Sequence, residues 1–151
     1  MNAITIDCVI FGFDNGILEV LLVEHAEGIR RIKKKESIDD AAHRLLADLT
    51  GLDNIYLEQL KAFGEPNRFP LRRVITIGYY ALIKKEDYNI KAGFTASDAK
   101  WYRINEIPNL IYDHNEILNY SLTHLRNRVR QAPIGFNLLP EKFTLLQFMH
   151  L

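Results

Sequence analysis

Glu36, Arg44, Asp48 and Gly51 stand at intervals that could do chemistry: seven residues separate Glu36 from Arg44, and six separate Arg44 from Gly51. Work on a phosphate ester would call for magnesium, a hard cation that takes carboxylate oxygens and waters and offsets phosphate charge. Carboxylates one turn apart on a helix point the same way and build such a site. Between Arg44 and Gly51 only Asp48 is acidic, and Leu45 and Leu49 stand beside it. One carboxylate does not hold magnesium unaided. The expectation is therefore no catalytic residue and no metal ligand in this stretch.

The elements that position these residues follow from pattern. Ser37 reads as a helix N-cap with Asp40 as its capping-box partner. Ile38, Ala41, Ala42, Leu45, Leu46 and Leu49 make an apolar stripe at helical period, and Gly51 ends the helix at C′. Upstream, "AITIDCVIFGFD" and "ILEVLLVE" flank Asn15-Gly16, a two-residue hairpin signal. "HAEGIRRIKKK" reads as a polar loop. Downstream, "NIYLEQLKAFG" is a strand and "EPNRFPLRR" a loop. "VITIGYYALIKK" is a long buried strand in which alternation lets only one of Tyr79 and Tyr80 face the core. "AKWYRINEIPNL" is a short strand entering a turn at Pro108. "HNEILNYSLTHLRNRV" is a second helix with Leu118, Ser121, Leu122, Leu125 and Val129 on one face. The order predicts an α/β (α+β) sandwich with a mixed sheet between helices.

The spacing of the first stretch resembles the Nudix box, G-x5-E-x7-R-E-U-x-E-E-x-G-U, with U a bulky aliphatic residue. Gly51-Leu52 falls on its terminal pair, Arg44 on its arginine and Glu36 on its first glutamate. The resemblance implies that Glu36 and Arg44 brace the loop against the helix, as such a pair does in Nudix folds, rather than take part in catalysis. The departures are Leu45 for the next glutamate, Asp48-Leu49 for the glutamate pair, and Arg30 for the leading glycine. More widely, the chain resembles the Nudix-related transcriptional regulators of the NrtR family, which include a sugar-sensing branch. "IDCVIFGFDNGILEVLLVE", "ESIDDAAHRLLADLTGLDNIYLEQLKAFG", "RVITIGYYALI" and "DHNEILNYSLTHLRNRV" with "PIGFNLLPEKFTL" carry the resemblance. It implies a Nudix-like domain over 1–112, a linker helix over 113–131, and the start of a winged helix over 132–151, with the rest of that DNA reader missing. It further implies a homodimer that senses ADP-ribose or a sugar derivative and meets DNA only through the missing C-terminal domain. In such a regulator Arg68, Arg72 and Arg73 lie near the ligand pocket and are candidates for phosphate contact; otherwise they belong to a solvated loop. Family members carry a segment like W-x-L-P-G-G-F-V before the helix, and "HAEGIRRIKKKES" is shorter and lacks the glycine pair. The alternatives are a Nudix hydrolase of a nucleoside diphosphate derivative, in which case alone magnesium enters, and an interaction module without a ligand.

Composition bounds the rest. The 151 residues carry 19 basic and 19 acidic side chains, a balance that argues against a strongly basic nucleic-acid-binding domain. The single cysteine, Cys8, lies in an apolar run and is expected to be a buried, inert thiol. With no disulfide, no signal segment and no apolar run long enough to span a membrane, a cytoplasmic protein without membrane contact is expected. Arg126, Arg128 and Arg130 suit a helix C-terminus through its dipole. The five histidines show no metal-ligand spacing and read as surface or cap residues. Trp101, Tyr102 and Tyr112 read as core or interface aromatics.

Overall fold

The structure, a computed structural model, describes residues 3–25, 31–88 and 96–130. The expected winged-helix start over 132–151 and Arg30 lie outside the described residues, as does part of the polar loop before the first helix. Strand β1 (Ala3–Asp14) turns into β2 (Ile17–His25). Both turn residues have positive φ, Asn15 at 50° and Gly16 at 80°, as the hairpin signal requires. Helix α1 (Ile38–Thr50), β3 (Glu58–Phe63), β4 (Val74–Lys84), β5 (Ala96–Arg103) and α2 (His114–Arg130) follow. The five strands form one mixed sheet in the order β3-β4-β1-β2-β5. Strands β1 and β4 are parallel, and the other neighbours are antiparallel.

A helix covers each face of this sheet. Leu45 and Leu46 of α1 pack on Ile6, Ile10, Leu21 and Tyr79. On the opposite face Leu118, Leu122, Leu125 and Val129 of α2 pack on Val9, Phe11, Val20 and Tyr80. The expected choice between Tyr79 and Tyr80 is therefore corrected: both are buried, because alternation sends them to opposite faces and each face has a core. The apolar stripe of α1 is also shorter than its period predicts. Ile38 is 40% exposed, and burial begins at Ala41. Strand β3 starts at Glu58, and Ile55 enters the core from the preceding loop.

The caps of α1 behave as predicted. Ser37 Oγ accepts the Asp40 N–H at 3.0 Å. Gly51 sits at φ 75°, and its N–H donates to the Ala47 carbonyl. Gly12 has a different reason to be glycine. A Cβ there would lie 2.5 Å from the Trp101 ring, which crosses β1 at that point. No helix among the described residues is long and apolar enough to cross a membrane.

Candidate functional site

Strand pairing opens the site. Strand β1 pairs with β4 along Ala3–Phe13, but with β2 only over Ile10–Asp14. Strand β2 goes on to pair with β5 from Glu19 to His25. Toward the start of β1 the two halves of the sheet therefore part. A cleft of about 670 Å³ fills the gap. Its walls come from both sides of the sheet: Asp7 and Cys8 of β1, Lys100 and Tyr102 of β5, Leu45, Leu49 and Thr50 of α1, and Tyr112, His114 and Ile117 at the start of α2. A second groove of about 640 Å³, between α1 and β3, is lined by Asp39, His43, Gln59 and Tyr79.

The positions where the box would place carboxylates contribute apolar surface to the cleft. Leu45 is 2% exposed and sits among Ile6, Ala41, Ala42 and Tyr79. Leu49 is half-buried and lines the cleft. Asp48 is exposed on the flank of α1, 3.6 Å from an Arg44 nitrogen. Among the described residues no group of three or more His, Cys, Asp and Glu side chains could hold a metal ion. Cys8 faces the Ala42 carbonyl at 3.8 Å. Burial, and then the Asp7 charge, push its thiol well above the usual range, so the nucleophilic thiolate is disfavoured.

Glu36 and Arg44 form the expected brace. Arg44 Nε donates to Glu36 Oε2 at 2.6 Å, and an Nη donates to Oε1 at 3.0 Å. Glu36 Oε1 also accepts the Lys33 N–H, and Arg44 reaches the Arg31 carbonyl at 3.1 Å. The 31–36 loop is thereby pinned to the middle of α1. Hydrogen bonds from Arg44 and Lys33 lower the Glu36 pKa from 4.5 to about 2. The geometry is that of a two-pronged guanidinium–carboxylate pair.

The three arginines of the 64–73 loop separate. Arg68 is 5% exposed and holds Asp113 through both carboxylate oxygens, at 2.7 and 2.8 Å. Arg72 lies over the Phe69 ring, and Arg73 donates to the Gly64 carbonyl. None of the three lines either groove. Sequence reasoning passed over Asp113; Tyr112, read as a core or interface aromatic, is instead exposed and lines the cleft, and His114, read as a surface or cap residue, lines it too. An acidic residue immediately before the helix was the visible signal, but its partner lies 45 positions away.

Two further expectations are corrected. His124 is partly buried rather than a plain surface residue. It lies 3.3 Å from Glu58 and packs edge-on against Tyr80. Arg128 has a specific partner in addition to the helix dipole, Glu58 at 3.1 Å. Glu58 also accepts the Tyr80 hydroxyl, so one carboxylate ties β3, β4 and α2 together.

No protein-family model matches the chain. A curated relative, the ADP-ribose-responsive transcriptional repressor NtrR of Acinetobacter baylyi, is 27% identical across 97% of the chain, which spans 64% of that repressor's length. Among solved structures, a MutT/nudix family protein from Enterococcus faecalis superposes with a TM-score of 0.81 at 21% identity, covering 98% of this chain and 71% of that one. The NUDIX domain of Shewanella oneidensis NrtR, solved as a complex with ADP-ribose, superposes at 0.69 with 25% identity, covering 83% of this chain and 89% of that one. The chain has the Nudix fold, and over almost all of its length it is similar to Nudix-related transcriptional regulators.

Proposed function

We propose that the chain is the effector-sensing, dimerising part of a bacterial transcriptional regulator and that the cleft in the split sheet takes the effector. The observation that carries this reading is the composition of the cleft. One wall is the box helix with leucines where carboxylates would hold metal. The opposite wall is the first turn of α2, the helix that leads out of the described chain. A ligand between them would be held without hydrolysis and would press on the outgoing helix. Similarity to a repressor responsive to ADP-ribose, and to a domain solved with ADP-ribose, makes ADP-ribose or a sugar derivative the effector to try first. Two copies would pair, and a ligand that binds one dimer geometry better than another would shift the population toward it. DNA would be met through a C-terminal reader.

Calorimetric titration of the chain with ADP-ribose and with pentose sugars tests the effector. Saturable binding by one of them is expected, and silence for all refutes the sensor reading. Incubation with ADP-ribose and magnesium tests catalysis. Release of AMP that Asp48→Ala abolishes would refute the non-catalytic reading in favour of a hydrolase. Sedimentation tests pairing, and a strict monomer at micromolar concentration would refute it.

A further inference from the structure

We infer that Arg68 is a positioning residue that couples the cleft to α2, an inference that rests on the cleft being the effector site. Residues 112–114 serve two sides at once. Tyr112 and His114 line the cleft, and His114 Nε2 lies 3.9 Å from Asp7 on its β1 wall. The residue between them, Asp113, is held by the Arg68 fork. Asp113 also begins the helix, since its carbonyl accepts the Ile117 N–H. Behind the fork, Arg68 donates to Thr76 Oγ1 at 2.7 Å and to the Val74 carbonyl at 3.3 Å. Thr76 in turn is hydrogen-bonded to Thr5 at 2.8 Å. The anchor is thus the parallel β1–β4 pair. Tyr112 holds φ at 52° with its ring 4.5 Å from Phe69, which lies in the Arg68 loop.

This arrangement gives the helix start one well-defined seat. An occupant that displaces Tyr112 or His114 drags Asp113 against a buried, two-pronged ion pair. Parting that pair would leave a largely buried charge uncompensated, so Asp113 resists being drawn away from Arg68. The displacement is therefore passed to α2 as a change of seat. Lysine would keep the charge but lose the fork.

The test uses the whole 151-residue chain and amide hydrogen exchange, with Arg68→Lys as the variant and Asp113→Asn as a second should the first not fold. Without ligand, either variant is expected to speed exchange in the first turn of α2 by about tenfold or more, with α1 and β4 unchanged. Unchanged exchange in α2, or an equal rise in every element, overturns the inference. With saturating ADP-ribose, wild type is expected to change its α2 exchange. The variant is expected to lose that response while its Kd stays within about threefold. A variant that keeps the response overturns the coupling. Should ADP-ribose bind neither protein, ADP-ribose is ruled out as the effector, and the ligand-free arm still decides the clamp.

Discussion

Restoring the carboxylates that the box would carry should have opposite consequences at two positions four residues apart. Leu45 is 2% exposed, so Leu45→Glu removes a fully packed side chain, a loss of about 2–3 kcal/mol of apolar burial. It also places a carboxyl among Ile6, Ala41, Ala42 and the Tyr79 ring. Even protonated, that group costs about 1–3 kcal/mol without a hydrogen-bond partner. The sum, about 3–6 kcal/mol, is a large part of the roughly 5–15 kcal/mol that holds a domain together. The pH dependence has a definite sign. Burial raises the folded-state pKa of the new carboxyl above its unfolded value, so the variant is least damaged at low pH. Its deficit then grows by about 1.4 kcal/mol per pH unit until the folded-state pKa is passed. Leu49 is half-buried on the cleft wall, where a carboxylate can keep water. Leu49→Glu should cost only about 1 kcal/mol, nearly independent of pH. Urea melts of both variants at pH 5 and pH 8 make the comparison. Equal stabilities, or a Leu45→Glu deficit below about 1 kcal/mol, would refute the view that this helix face belongs to the core.

The two remaining glycine reasons can be told apart by stability. Gly12→Ala should cost about 1–3 kcal/mol, because the Trp101 ring must move. Gly51→Ala should cost about 1 kcal/mol through backbone strain alone, since a Cβ there meets nothing within 4 Å. Denaturant midpoints should also separate a third variant, Glu36→Gln. The Glu36 pKa is lowered to about 2, so its contribution is present above pH 4.5 and is lost as pH falls toward 2. The stability gap between wild type and Glu36→Gln should therefore close over that window, and a gap constant across it would contradict the brace. Cys8 should resist iodoacetamide at pH 8 in the folded chain and react on unfolding. Rapid alkylation of the folded chain, followed by mass spectrometry, would contradict its raised pKa.

Local pattern was enough for much of this molecule. Asn15-Gly16, Ser37 and Gly51 announce a hairpin turn, a helix start and a helix stop, because each satisfies a backbone need within a few residues. The Glu36–Arg44 brace was legible through the resemblance to the Nudix box, whose spacing the pair keeps, and the structure joins the two side chains directly. Leu45 and Leu49 were legible as departures from a metal-binding pattern, though their different burial was not. That difference, like the burial of both Tyr79 and Tyr80, depends on which face of a strand or helix has a neighbour, and only packing supplies the neighbour. The cleft itself arises because β1 follows β4 while β2 follows β5, a divergence set by long-range pairing. Arg68 shows the limit most plainly. In the chain it is one of three arginines in a proline-containing loop, and in the fold it alone is buried, holding an aspartate 45 residues away. Short-range physical chemistry determined the elements and their caps. The tertiary structure decided which charges were removed from water, and those are the charges that place α2 against the cleft.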